Sequence, residues 1–227
     1  MKKAFLSLGV FLLLLCNYPV SSYGQSMRSL FVMLPDECTP GLDKDGRRAL
    51  VEAATQEYVV PGHSQEEVLD YSIDTVTANY LAYEYSNKKG RGRNVAYEIK
   101  EFKMSGGKYI LLFSKNSDTR STSNKYESHV YNINFADSSL IKTDAPILPQ
   151  NLNYSVFLKS TTPEAIKDSI KKTSLCTFDL DIESPGKIIF YIVLESDKDE
   201  KWLAGNIMVL TWTGTTFKGV LSFQKEN

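Results

Sequence analysis

At 227 residues and a formal net charge of −1, from 26 Lys plus Arg against 27 Asp plus Glu, the chain has neither the basic surplus of a nucleic-acid binder nor a general attraction to anionic membranes. Two histidines and three cysteines leave little from which to build a zinc site, and no cofactor is implied. Thirteen tyrosines and eleven phenylalanines point to a β-rich fold, because aromatic side chains favour pleated, half-buried surfaces.

The first residues read as a signal peptide. Lys2 and Lys3 give the positive start, and an apolar run follows from Ala4 to Leu15, broken only by Ser7 and Gly9. That run is shorter than the roughly 20 residues a membrane-spanning helix needs. Ser22 and Gly24 suit the −3 and −1 sites of a signal peptidase. Cleavage is therefore expected before Gln25, giving a leader over 1–24 and an exported chain over 25–227, in the periplasm or cell envelope. Cys16, directly after Leu12 to Leu15, offers a competing lipoprotein reading, although a lipobox wants a small residue where Leu15 stands. No second apolar stretch is long enough to span a bilayer; Ile188 to Leu194 is seven residues and suits a buried strand.

Residues 28–56 read as helical. Leu30, Phe31 and Leu34 form an apolar cluster ended by Pro35, and Asp43 and Asp45 precede a run with Leu50, Ala53 and Ala54 on one stripe. Pro61-Gly62 is expected to stop this segment. From about 68 to 136 the period changes to two. Tyr71 and Ile73 alternate, then Leu81, Tyr83 and Tyr85, then Val95, Tyr97 and Ile99, then Tyr109, Leu111 and Phe113, then Tyr131, Ile133 and Phe135. The stretch is read as four strands in an antiparallel meander. Asp137 to Thr161 is the natural join. A short helix follows, with Thr162 as N-cap, Pro163 at the first helical position, Ile166 and Ile170 as its apolar pair and Lys171-Lys172 at its end. Four more strands finish the chain: Phe178 to Ile182, Ile188 to Leu194, Ile207 to Trp212 and Phe217 to Phe223. Turns at Ser184-Pro185-Gly186 and Thr213-Gly214-Thr215 join the first to the second and the third to the fourth. The expected class is α+β: one domain of antiparallel meanders with two short helical segments packed on the sheet. Helix-then-meander occurs twice, over 28–136 and 162–223, without a residue-level repeat.

Over Leu30 to Ala53 the string Leu30-Phe31-Val32-Met33-Leu34-Pro35-Asp36-Glu37, then Pro40-Gly41-Leu42, Arg47-Arg48 and Leu50-Val51-Glu52, resembles the N-terminal signature of a secreted family of Bacteroides-type bacteria known only as a domain of unknown function. Gly41 and the basic Gly46-Arg47-Arg48 depart from that signature. The resemblance implies compartment and origin and brings no functional residue with it.

Each candidate site has a plainer alternative. Gly41, Asp43, Asp45, Gly46 and Glu52 fall at positions 1, 3, 5, 6 and 12 of a calcium loop, but position 1 lacks a carboxylate and Arg48 takes the apolar position 8, so an acidic helix start is preferred. Lys88, Lys89, Arg91 and Arg93 could grip a phosphate or acidic glycan, against a solvated hairpin tip. Trp202 is a candidate sugar-stacking surface, against a lid over the core, while Trp212 reads as core. Cys38 and Cys176 either form a disulfide or are two separate small hydrophobes. His129 shares a strand face with Tyr131, Ile133 and Phe135, His63 follows Pro61-Gly62, and no Gly-x-Ser-x-Gly elbow or catalytic-cysteine signature appears. The sequence thus predicts a non-enzymatic envelope protein that binds another protein through a sheet edge or aromatic patch. A glycan- or small-ligand-binding module is the alternative, and a hydrolase with an acidic pair assembled by folding is least favoured.

Overall fold

The computed structural model of the protein describes residues 26–53, 57–61, 68–87, 94–117, 127–180 and 183–223. The leader with Cys16, His63, and the basic cluster of Lys88, Lys89, Arg91 and Arg93 lie outside the described residues.

Ser26 opens helix α1 (Met27–Met33) by accepting a hydrogen bond from the Ser29 N–H, and Met27, Leu30 and Phe31 form its buried stripe. The chain turns extended at Leu34, as the residue before a proline must. A 3-10 turn over Asp36–Cys38 leads to α2 (Lys44–Glu52), capped by Asp43, whose Oδ1 accepts from the Gly46 N–H at 2.8 Å. A Cβ at Gly46 would sit 2.6 Å from Leu42 Cδ1, so a larger residue there would displace the Leu42 side chain. The helical reading of 28–56 is therefore three pieces, and it stops at Ala53 rather than at Pro61-Gly62. Glu57–Pro61 is strand β1, paired antiparallel with β2 at the edge of the first sheet.

Strands β2 (Val68–Val76), β3 (Tyr80–Asn87), β4 (Asn94–Lys103), β5 (Tyr109–Ser117), β6 (Glu127–Asn134) and β7 (Ser139–Lys142) complete a seven-stranded antiparallel meander in sequence order. The stretch 68–136, read as four strands, holds five, β2 to β6; β1 precedes it, and β7 lies in what was read as the join. After a 3-10 turn (Tyr154–Phe157), α3 (Glu164–Thr173) begins with Pro163, not Thr162, at its cap. Thr162 is buried and donates its hydroxyl to the Trp202 carbonyl at 3.3 Å instead. The four expected strands, β8 (Leu175–Asp179), β9 (Lys187–Val193), β10 (Ile207–Trp212) and β11 (Phe217–Ser222), form a second antiparallel sheet in the order β11-β10-β9-β8, with the first of them starting at Leu175 rather than at Phe178. The fold is α+β.

Both faces of the first sheet are covered. On one, α1 and α2 pack on Tyr71, Tyr83, Tyr97, Phe113 and Tyr131 in the first apolar cluster. Tyr83 and Tyr97 stack with ring centroids 4.7 Å apart, and Phe31 meets Tyr83 edge-on at 4.9 Å. The tyrosine hydroxyls then fasten the segment before α2: Tyr71 donates to the Pro40 carbonyl at 2.7 Å and Tyr83 to the Cys38 carbonyl at 2.9 Å. On the opposite face Tyr80, Phe102, Ile110, Leu112 and Val130 join Phe178, Phe190, Leu210 and Phe217 of the second sheet, with Phe157 and Ile170, in a second cluster. Trp212 clamps the two sheets, its Nε1 donating to the Lys103 carbonyl at 2.7 Å and its ring lying 5.7 Å from Phe102.

Cys38 and Cys176 are free thiols in this structure. Cys38 belongs to the first cluster, 3.2 Å from the Tyr131 hydroxyl, and Cys176 packs against the second. Burial pushes the Cys38 thiol up to about 11 and the Cys176 thiol up to about 12.

Candidate functional site

A strand with one face in a core ordinarily turns polar residues outward. The four-stranded sheet does otherwise. Its core face carries Ile188, Phe190, Leu210 and Phe178, and the register then places Val220, Val209 and Ile189 side by side on the other face, ending at Asp179. Three strand spacings make this row about 14 Å long. Ile207 and Tyr191 lie in the next row, and Val193 beyond them. Val220 is 67 % exposed and Val193 48 %.

The row starts on an edge strand. Ser222 offers its carbonyl inward to Asn206, whereas Phe217 turns its N–H outward to the Ile147 carbonyl. Alternation then points the backbone groups of Gly219 and Leu221 outward along the edge. Among the described residues no strand pairs there beyond β10. Other sheet edges are blunted: β7 is only four residues long, β1 carries Pro61, and β8 runs against β5.

The row ends in a crevice of about 310 Å³ where the two sheets meet, lined by Asp74, Tyr80, Glu98, Phe178, Asp179 and Tyr191 among others. Tyr80 donates to Glu98 Oε1 at 2.6 Å. Burial holds the Glu98 carboxyl above the usual carboxylate range, against the Tyr80 hydrogen bond that favours its charge, and Asp179 adds to the rise. Tyr191 is raised by burial and then by the Asp179 and Glu98 charges. The Leu180 peptide sits between Glu98 and Lys100, its N–H on Glu98 and its carbonyl accepting from Lys100 Nζ at 2.6 Å, so Glu98 also stitches β4 to the end of β8. Asp74 and Asp179 remain the exposed carboxylates of the crevice.

The remaining candidate residues have structural partners. Trp202 is half-buried against the second cluster, with Lys201 Nζ 5.3 Å from its ring and its carbonyl accepting from the Lys159 N–H, so it acts as a lid on the core. Asp43 is engaged in the cap, Asp45 pairs with Arg48 at 2.8 Å, and no group of three His, Cys, Asp or Glu among the described residues is placed to hold a metal ion. His129 stacks on Phe113 with centroids 5.9 Å apart and meets Glu127 at 2.7 Å.

Glu101, on β4, is a carboxyl placed at a cost. Its Oε1 is buried without a hydrogen-bond partner, and burial pushes the carboxyl up to about 7. An acid raised in the folded state binds its proton more tightly there than when unfolded, so stability falls as pH rises from about 4.5 through 7. Glu101→Gln should therefore gain about 1–2 kcal/mol over the natural chain at pH 8 and nothing at pH 4, in urea titrations at the two pH values. An equal effect at both would show that the carboxyl is not titrating in that window.

No family model matches the chain, and no curated protein matches it. A solved structure of a domain of an uncharacterized protein from Porphyromonas gingivalis W83 is similar over 86 % of this chain and 97 % of that one, with a TM-score of 0.58 at 10 % identity. At that identity the likeness is one of fold.

Proposed function

We propose that this is an exported, non-enzymatic interaction protein of the cell envelope, which docks a partner protein along the outward face and β11 edge of its four-stranded sheet. The observation that carries the reading is the row Val220–Val209–Ile189, an apolar strip that begins on an edge strand with no further strand beside it among the described residues and ends at carboxylates. An extended partner segment would gain main-chain hydrogen bonds from the Gly219 and Leu221 rungs, lay apolar side chains over the row, and direct a basic side chain towards Asp74 and Asp179. Export rests on the leader features of residues 1–24.

The test places a photo-crosslinking residue at position 220 and, as control, at Lys171 on the exposed side of α3, in the full chain expressed in its native envelope. A defined partner is expected from position 220 only. Val220→Lys should abolish that capture while leaving the melting temperature unchanged within about 0.5 kcal/mol of stability, because the side chain is exposed. Capture that survives Val220→Lys, or comes equally from position 171, removes the edge reading. The intact mass of the recovered protein reports in the same experiment whether the chain starts at Gln25. The crevice favours one second reading, a small cationic or polyhydroxylated ligand held by Tyr80, Tyr191 and the carboxylates. It predicts that Asp179→Asn weakens ligand binding while Val220→Lys does not.

A further inference from the structure

The helical layer carries a second concavity on which that reading makes no demand. Spacings of four residues put Arg28 and Val32 on one stripe of α1, and Lys44 and Arg48 on one stripe of α2. The stripes enclose a groove of about 320 Å³, with Met33 and Val51 also in its wall. Val32, Met33 and Val51 are half-buried and supply an apolar floor, while three cations stand around it.

The cations are placed at a cost. Lys44 opens α2, where the helix dipole disfavours positive charge, and Arg48 one turn later sets like charge beside like. Arg48 has an exposed pair with Asp45, which contributes little. Lys44 makes no ion pair among the described residues. Arg28 is held in position by its Nη1 donating to the Val51 carbonyl at 2.8 Å. Ser29 and Ser138 bring hydroxyls to the same groove, and Glu52 is its one carboxylate among the described residues.

We propose that this groove binds a small anionic amphiphile, one carboxylate or phosphate head among Arg28, Lys44 and Arg48 with a short apolar tail on Val32, Met33 and Val51. Its volume is at the low end of the roughly 300–1,000 Å³ of small-ligand pockets, which suits a short tail. Glu52 opposes a polyanion, and three cations lining one concavity fit one head group better than a membrane surface.

Calorimetric titration of the chain from Gln25 with octyl phosphate, 1-octanol and inorganic phosphate tests this. Octyl phosphate should bind at least tenfold more tightly than either fragment, and Lys44→Gln with Arg48→Gln should weaken it at least tenfold at an unchanged melting temperature. Arg48→Glu alone, at an exposed position, should give a loss of the same direction if the double variant does not fold. Equal binding by the variants overturns the proposal, as does 1-octanol binding as tightly as octyl phosphate. Flotation on anionic phosphatidylglycerol vesicles without any binding of octyl phosphate also overturns it, in favour of a membrane contact.

Discussion

Lys100→Met should lower stability by about 3–5 kcal/mol, because several buried carbonyls lose a charged donor together. Lys100 is fully buried on β4, on the face that meets the second sheet. Its Nζ donates to the carbonyls of Leu180 at 2.6 Å, Ser184 at 3.1 Å and Lys187 at 3.1 Å. All three lie at or between the end of β8 and the start of β9, so one ammonium fastens the turn of the second sheet to the middle of the first. Methionine keeps the length of the stem and removes the donors. Each buried carbonyl deprived of its partner costs about 1–3 kcal/mol, partly offset because the desolvated charge is gone as well. For a chain of this size the loss should appear as a fall of roughly 6–15 °C in the melting midpoint. An unchanged midpoint would mean that the ammonium costs as much to bury as its hydrogen bonds return, and that the apolar cluster between the sheets holds them together without it.

Lys100 also marks the limit of what alternation reveals. The period of two in Val95, Tyr97 and Ile99 places one face of β4 in a core, and by the usual rule turns Ala96, Glu98 and Lys100 to solvent. Here the second face is covered too, so the polar residues of that face become the stitches between sheets. One strand signals this arrangement: Ile110, Leu111, Leu112 and Phe113 are continuously apolar, the pattern of a strand buried on both sides. The four strands of the second sheet were legible because turns at Ser184-Pro185-Gly186 and Thr213-Gly214-Thr215 mark two pairs, and a charged stretch from Glu195 to Lys201 parts the pairs. β1 was hidden because only Tyr58, Val59 and Val60 carry its pattern directly after helix-favouring residues, and α2 ends without a glycine or proline. β7 is short and half-polar, so its pairing with β6 leaves no periodic trace.

The candidate site was legible in kind but not in position. Open sheet edges were an expectation from long meanders, yet the bare edge depends on which terminal strands are short, carry proline or meet another element, and that is tertiary information. Trp202 drew attention because it sits among charges in Asp199-Glu200-Lys201, and folding turned its ring onto the core. Val209 and Val220 gave no signal, because a strand alternating apolar residues on both faces resembles one that is simply buried. Asp74, Glu98 and Asp179 come from three strands and meet only when two sheets do.

Arg47→Met should cost about 2–4 kcal/mol and should loosen the helical layer before the rest. Arg47 is only 2 % exposed. Its Nη1 lies 2.9 Å from Asp36 Oδ1, 2.8 Å from Thr39 Oγ1 and 2.7 Å from the Leu42 carbonyl, and its Nε donates to the Val32 carbonyl at 3.3 Å. Three acceptors share the two hydrogens of Nη1, so the guanidinium gathers α1, the 3-10 turn and the approach to α2 around one group. The Asp36 side chain is 75 % exposed, and losing its ion pair matters little. Thr39 is fully buried, and its hydroxyl and the Leu42 carbonyl would each lose a charged donor. Arg47→Lys separates charge from shape. A lysine supplies one ammonium where the fork reaches in two directions, so Arg47→Lys should cost about half of what Arg47→Met costs despite the retained charge. Full retention in Arg47→Lys would assign the effect to charge alone. Hydrogen exchange adds a spatial check, since amides of residues 27–52 should lose protection in Arg47→Met while those of β9 and β10 keep theirs. The octyl phosphate groove is built from these same two helices, so Arg47→Met should also weaken that ligand while leaving partner capture at Val220 intact.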